Sequence, residues 1–251
     1  MTDDILAAGL LPSTTRMSET QPTRDLEKAN AARRAVEMVA DGQLVGLGTG
    51  TTSLIAIREL GRRVAEGLKI RGVATSVATY RLATELGIRM IDLNDVNDGE
   101  TIDLTIDGAD QIDPQFNMIK GGGGALVREK LVAISSKQEI IIVDRSKQVP
   151  MLGDACALPV EVLKFSWRFA ARSLASLGGA PRLRETAAGP FESDNGNYVL
   201  DCDFGAIDDP PYLERAIKLI PGVVEGGLFI GIATTLIVGT PDGAQVIQCK
   251  P

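Results

Sequence analysis

Residues 43–66 read QLVGLGTGTTSLIAIRELGRRVAE. The apolar residues of 43–47 predict a strand, the glycine and hydroxyl residues of 48–53 predict a loop, and the amphipathic stretch of 54–66 predicts a helix. A strand that passes through a short loop into a helix is the repeating unit of folds that contain a parallel sheet. This stretch therefore predicts the α/β fold class.

The same alternation runs through the first 150 residues. An amphipathic helix starts at Leu26 and stops at Gly42. Further strands are predicted over 69–73, 88–92, 101–106 and 139–143, with helices over 77–86 and 125–135. The alternation predicts a Rossmann-like, mostly parallel sheet with helices on both faces.

A different order of elements follows residue 155. Strands are predicted over 158–162, 182–185, 198–202 and 223–226, and helices over 166–177 and 212–219. The order strand, helix, strand, strand, helix, strand predicts a smaller ferredoxin-like α+β domain. Two last strands, over 235–238 and 244–248, are expected to return to the first sheet.

We therefore expect three parts in the chain. Residues 1–23, rich in Ser, Thr and Pro, are predicted to form a disordered N-terminal extension. Residues 24–154 and 229–251 are predicted to form the Rossmann-like catalytic domain. Residues 155–228 are predicted to form the small α+β domain.

The composition excludes several classes of function. The chain of 251 residues contains no histidine, which excludes Ser-His-Asp catalysis and histidine-ligated metal sites. A net charge of −7 and an aromatic content of 4% argue against nucleic acid or an anionic membrane as a partner. Three widely spaced cysteines predict neither a disulfide framework nor a metal site, which favours the reducing cytoplasm.

The loop at residues 48–53 is a candidate anion site. It contains Thr49, Gly50, Thr51 and Thr52 between a strand and a helix, where backbone N–H groups and the helix dipole attract an anion. The lysine and the third glycine of the two common nucleotide-binding loops are missing, so a small phosphorylated ligand is favoured over a nucleotide. The alternative is a structural helix start, with Thr51 or Thr52 as the N-cap.

Candidate chemical groups follow other predicted strands, at the sheet edge where ligands of α/β proteins bind. Asp107 and Asp110 flank Gly108 and Ala109, and Asp113 follows; an Asx-turn is the alternative for these carboxylates. Lys120 precedes four glycines, a costly run that suggests an oxyanion site, although a solvated lysine is the alternative. Glu129 and Lys147 are further candidates, with a helix-end ion pair and a solvated turn as their alternatives.

Several motifs in matching order give the chain a resemblance to the A-type ribose-5-phosphate isomerases. The resemblance covers roughly residues 25–249. The motifs are Gly-Thr-Gly-Thr-Thr (48–52), Asp-Gly-Ala-Asp (107–110), Ile-Lys-Gly-Gly-Gly (119–123), Arg-Glu-Lys (128–130), Asp-Arg-Ser-Lys (144–147), Leu-Pro-Val-Glu-Val (158–162), Asp-Asn-Gly-Asn (194–197), Ile-Pro-Gly-Val-Val-Glu-Gly-Gly-Leu-Phe (220–229) and Gly-Thr-Pro-Asp-Gly (239–243).

The resemblance implies the interconversion of ribose 5-phosphate and ribulose 5-phosphate in the non-oxidative pentose phosphate pathway, without a metal or other cofactor. By the same resemblance, Glu129 is the base, Asp107 assists ring opening, and Asp110 and Lys120 complete the sugar site. The backbone of Gly121, Gly122 and Gly123 stabilises the enediolate. The phosphate site comprises Lys28, Thr49, Gly50, Thr51, Thr52 and Lys147. A homodimer or homotetramer is also implied, with the small domain as a contact surface.

The chain departs from the usual family pattern at a few positions. Gln111 stands where glutamate is common and is expected to alter sugar preference, and Gly124 stands where alanine is common. Two other functions stay open. The fold also resembles that of CoA transferases, which would form a glutamyl thioester with an acyl-CoA. A non-catalytic sugar-phosphate sensor would be stabilised by its ligand without turning it over.

Overall fold

The computed structural model describes residues 20–249. Most of the predicted extension, residues 1–19, lies outside the described residues. The first helix begins at Gln21, with a proline in its first turn, where the fixed φ of proline suits a helix start. The expected boundary at residue 23 is therefore wrong for residues 21–23, which are helical.

The described residues alternate between helices and strands. The helices are α1 Gln21–Val36, α2 Thr51–Ala65, α3 Val77–Glu85, α4 Leu126–Ile134, α5 Trp167–Ser176 and α6 Pro210–Lys218. The strands are β1 Leu44–Leu47, β2 Arg71–Ala74, β3 Arg89–Met90, β4 Leu104–Asp107, β5 Gln111–Ile112, β6 Met118–Ile119, β7 Glu139–Asp144, β8 Leu158–Val162, β9 Ala180–Leu183, β10 Glu185–Thr186, β11 Gly189–Pro190, β12 Tyr198–Asp203, β13 Val223–Gly226, β14 Leu228–Phe229, β15 Thr235–Thr240 and β16 Gly243–Gln248.

The largest sheet has seven strands in the order β16-β15-β7-β4-β1-β2-β3. All neighbouring strands are parallel except β15 and β16, which form an antiparallel hairpin at one edge. Adjacent residues of β1 point to opposite faces of this sheet, so they pack against different helices. Val45 packs in a cluster with Ala31 of α1 and Ile57 of α2, and Leu44 packs in another with Val132 of α4. The predicted Rossmann-like sheet with helices on both faces is confirmed, and the last two strands return to it.

A four-stranded antiparallel sheet has the order β13-β8-β12-β9. Numbered along the chain, this is the order 4-1-3-2 expected of a split βαβ unit. Ala170 of α5 and Ile217 of α6 pack against Val160 in its core. The ferredoxin-like fold is confirmed, whereas the domain boundaries at residues 155 and 228 stay predictions.

Two small pairings were not predicted from the sequence. Strands β5, β6 and β14 form a three-stranded sheet, and β10 pairs with β11. Strands of two residues are too short to show a period. The three-stranded sheet positions Lys120, since this residue directly follows β6 and its backbone N–H donates to the carbonyl of Gly227 at 2.9 Å.

Candidate active site

A cavity opens beside the carboxyl ends of β1 and β4, the sheet edge where ligands of α/β proteins bind. Four chain segments that are distant in sequence meet there. Its lining residues are Thr49, Gly50, Thr51, Thr52, Ser53, Gly108, Ala109, Asp110, Lys120, Gly121, Gly122, Gly123, Glu129 and Lys147. Apart from Ser53, these are all residues that the sequence singled out.

Two predicted site residues lie outside the cavity lining. Asp107 is fully buried behind the lining, and Lys28 is half-buried on α1. Ser53 is the lining residue that sequence reasoning missed, although it ends the loop that was singled out. Its hydroxyl donates to Asp107 Oδ1 at 3.1 Å. The signal that could have identified it is its hydroxyl, at the position directly before the predicted helix.

The glycine-threonine loop leads directly into α2. Gly50 is the N-cap and makes no side-chain cap, so the prediction of Thr51 or Thr52 as the N-cap is wrong and the helix starts three residues earlier than expected. The first N–H groups of a helix have no partner within it and can bind an anion. Gly48 is required by close approach, because a Cβ there would lie 2.0 Å from Asp107 Oδ1.

The hydroxyl of Thr49 contacts neighbouring hydroxyl groups that hold the loop in place. It lies 2.7 Å from the hydroxyl of Thr75 and 2.9 Å from that of Ser76, at the start of α3. The backbone N–H of Thr49 donates to Asp107 Oδ1 at 3.0 Å. These contacts fix the loop between β1 and α2 against its neighbours.

Lys120 lies at the centre of a buried charged cluster. Its side chain is 2% exposed, and its Nζ lies 3.0 Å from Asp107 Oδ2 and 2.9 Å from Glu129 Oε1. Nζ also donates to the carbonyl of Gly108. Asp107 Oδ1 accepts from Thr49 N, Ser53 Oγ and Gly108 N, at 3.0, 3.1 and 2.7 Å. Buried charges persist when they are paired and hydrogen-bonded in this way.

Burial and charge together shift the pKa of Glu129 to about 8, well above its usual value. Burial is the largest cause, the Lys120 ammonium opposes it, and the charge of Asp107 adds to it. Burial lowers the pKa of Lys120, but the charges of Asp107, Glu129 and Glu139 outweigh burial and raise it overall. The site therefore combines a carboxyl that can exchange a proton near neutral pH with a permanent cation.

Asp110 and the glycine run both line the cavity and are in contact with each other. The N–H of Gly122 donates to Asp110 Oδ2 at 2.7 Å. Asp113 does not join this group, because its carboxylate accepts from the N–H groups of Gln115 and Asn117 in the turn between β5 and β6. For Asp113 the Asx-turn alternative is therefore correct.

Of the two remaining candidates, Lys147 lines the cavity and Gln111 does not. Lys147 reaches the cavity from the turn after β7, where Asp144 Oδ1 accepts from the N–H of Ser146 at 3.0 Å. The side chain of Gln111 is buried away from the lining and accepts from the N–H of Gly153 at 2.7 Å. Its effect on sugar preference stays a prediction.

The chain is similar to known proteins over most of its length. The family model for ribose 5-phosphate isomerase A (phosphoriboisomerase A) matches residues 71–243. A relative from Thermomicrobium roseum, named ribose-5-phosphate isomerase A, is 49% identical over 223 residues, which cover 88% of this chain and 93% of the relative.

Solved structures agree with this match. The ribose 5-phosphate isomerase A of Methanocaldococcus jannaschii is 38% identical with a TM-score of 0.83, over 89% of this chain and 98% of that one. A D-ribose-5-phosphate isomerase in complex with phospho-erythronic acid is 36% identical with a TM-score of 0.86, over 90% of this chain and 99% of that one. Within residues 20–249, no helix is long and apolar enough to cross a membrane.

Proposed function

We propose, since the chain belongs to the ribose 5-phosphate isomerase A family, that it interconverts D-ribose 5-phosphate and D-ribulose 5-phosphate in the non-oxidative pentose phosphate pathway. One observation carries the proposal: Glu129 and Lys120 form a buried pair 2.9 Å apart in a cavity that also presents the first turn of α2. A base, a cation and an anion site are the groups that isomerisation of a sugar phosphate requires.

Glu129 is the base that transfers a proton between C2 and C1. It removes the C2 proton of the open aldose, and the carbonyl oxygen at C1 becomes the oxyanion of an enediolate. The hydroxyl proton of O2 moves to O1, and Glu129 returns its proton to C1 to give the ketose. A base with a pKa near the working pH does both steps well, and burial gives Glu129 such a pKa. Asp107 assists ring opening, and Asp110 and Lys120 hold the sugar hydroxyls.

The negative charge of the enediolate is stabilised by donors already in place. Lys120, Gly121, Gly122 and Gly123 line the same cavity as Glu129, and the N–H of Gly122 is held by Asp110 Oδ2 at 2.7 Å. Donors fixed before the reaction cost no reorganisation during it, and they contribute most of the stabilisation in sites of this kind.

The phosphate group binds at the start of α2, with Thr49, Gly50, Thr51, Thr52 and Lys147. Lys28 adds charge from α1. Its neighbour Glu27 supports that placement, since Glu27 Oε1 accepts from Arg145 Nε at 2.7 Å in the turn that carries Lys147. Phosphate binding then orients the sugar for proton transfer.

We also propose a cytoplasmic location and an oligomeric state for the protein. Three free thiols, Cys156, Cys202 and Cys249, favour a reducing cytoplasm. Exposed apolar side chains on the ferredoxin-like unit, among them Phe165 and Leu219, favour a homodimer or homotetramer built through this unit.

A coupled assay for ribulose 5-phosphate tests the function, run with EDTA present and with nonphosphorylated ribose as a comparison. We expect turnover of ribose 5-phosphate that EDTA leaves unchanged. E129Q should keep the fold and phosphate binding and lose isomerisation by at least about 100-fold. E85Q, an exposed glutamate on α3, is the matched control. Near-normal turnover by E129Q would refute the assignment.

A further inference from the structure

The glycine run is held from outside the cavity by Arg184, which lies between β9 and β10. Arg184 Nη1 is 3.1 Å from the carbonyl oxygen of Gly121 and 3.1 Å from that of Gly122. Only 15% of the Arg184 side chain is exposed. One guanidinium therefore binds two consecutive carbonyl groups of a segment that lines the cavity.

Arg184 is itself fixed by two neighbours. Its Nε donates to Asp201 Oδ2 at 2.9 Å, and its Nη2 donates to Asp201 Oδ1, which makes the pair bidentate. The guanidinium also lies 5.5 Å from the centre of the Phe191 ring. Asp201 and Phe191 thus hold the guanidinium plane in one orientation.

The two carbonyl contacts determine where the N–H groups point. In a trans peptide unit, the carbonyl and the N–H of the next residue point in opposite directions. The carbonyls of Gly121 and Gly122 face Arg184, so the N–H groups of Gly122 and Gly123 face the other way. The N–H of Gly122 reaches Asp110 on the cavity wall, and the N–H of Gly123 has no acceptor within residues 20–249.

We propose that Arg184 is a positioning residue for isomerisation, which fixes the direction of the Gly122 and Gly123 N–H groups by holding the carbonyls of Gly121 and Gly122. The inference rests on the proposed function. Glycine has the most freely varying backbone of any residue, so a glycine segment needs an external contact if its donors are to stay in place. Arg184 touches neither the cavity nor the reacting atoms and acts only through this segment.

The experiment compares R184M and D201N with the control R182M. Arg182 lies on β9 two residues earlier and is exposed. We measure kcat and KM for ribose 5-phosphate, and inhibition by inorganic phosphate and by a phosphorylated aldonic acid whose carboxylate mimics the enediolate. Circular dichroism and thermal unfolding check that each variant is folded. D201N keeps the arginine and removes the negative charge and one acceptor oxygen of its bidentate partner, so it tests the proposal even if R184M does not fold.

We expect kcat of R184M to fall by about 10- to 100-fold, because small displacements of catalytic groups have effects of this size. D201N should show a smaller loss in the same direction, and R182M none. Inhibition by the aldonic acid should weaken in step with kcat/KM, while inhibition by inorganic phosphate stays within about threefold.

Two results would overturn the inference. The first is a folded R184M whose kcat lies within twofold of the parent protein. The second is an equal weakening of aldonic acid and phosphate, which would show a general loosening of the site instead of misdirected donors. If the parent protein does not isomerise ribose 5-phosphate, the proposed function itself fails, and the two failures are thus distinguishable.

Discussion

We propose Glu129 as the base, and this role predicts how the reaction rate changes with pH. A base works only when it is deprotonated, so kcat/KM should rise with pH and level off above an inflection near the Glu129 pKa of about 8. The Lys120 ammonium lowers this pKa, so K120M should move the inflection of its residual activity to higher pH. Initial rates between pH 6 and 9.5 measure both curves. The substrate phosphate titrates near pH ~6, well below the expected inflection. An unchanged or lower inflection in K120M would contradict the assignment of the base.

Glu139 is a second buried carboxyl, and we expect it to affect how the stability of the protein depends on pH. The side chain is 1% exposed, and neither of its oxygens has a hydrogen-bond partner in the described part of the chain. Burial, with the charges of Asp107 and Glu129, raises its pKa well above 4.5, although Lys120 opposes them. The folded state then binds more protons than the unfolded state above about pH 4.5, so Glu139 lowers stability as the pH rises.

E139M should therefore stabilise the protein, by ~1–2 kcal/mol near pH 8 and by less near pH 5. Urea unfolding at the two pH values measures the free energy of unfolding, with E85Q as the exposed control. If E139M were less stable than the parent protein, and more so at pH 8 than at pH 5, the carboxylate would be accommodated in a way that its surroundings do not indicate.

The glycine run ends at Gly124, which lies against the ring of Phe191, directly after β11. Gly124 has a φ of +79°, and a Cβ there would lie 2.4 Å from Cε1 of the Phe191 ring. G124A should lower the free energy of unfolding by ~2–3 kcal/mol, since it combines backbone strain with a clash. G67A is the control, because Gly67 has a φ of +112° with open space around it. Urea unfolding should show that F191L recovers part of the loss in G124A, and strictly additive effects would rule out the contact.

The elements that the sequence predicted are those with a full period of apolar residues. Strand β7, six consecutive buried residues, was expected within one residue of its end. The two-residue strands β5, β6 and β14 have no such signal, yet they position Lys120. Helix α2 was expected to start at residue 54 and starts at Thr51, because a glycine N-cap offers no side-chain signal.

The sequence identified most of the residues that line the cavity but not the contacts between them. Chemical motifs are local, so Asp107, Lys120 and Glu129 were each visible in the sequence. The three side chains are buried together only because the fold brings three separate segments into contact. Their burial is what distinguishes them from solvated surface charges. The contact of Arg184 with the glycine run joins residues that are 62 and 63 positions apart, and no local pattern could indicate it.

The ferredoxin-like unit exposes large apolar side chains. Phe165 is fully exposed and Leu219 is 83% exposed, which is unusual for side chains of this size. Their segments are adjacent, because the N–H of Leu163 donates to the carbonyl of Gly222 at 2.9 Å. Leu163 and Phe169 are exposed as well, and we expect a second copy of the chain to cover these apolar side chains.

The double variant F165S/L219S should therefore reduce the molar mass in solution to that of a smaller assembly. Light scattering coupled to size exclusion measures this mass, and we expect a value one half of the parent's or lower at micromolar concentration. Y80S is the control, since Tyr80 is an exposed aromatic residue on α3, beside the large sheet. Isomerase activity per chain should persist in the double variant, because neither residue lines the cavity. An unchanged mass would place the interface elsewhere, and a lower mass in Y80S as well would point to a general loss of folding.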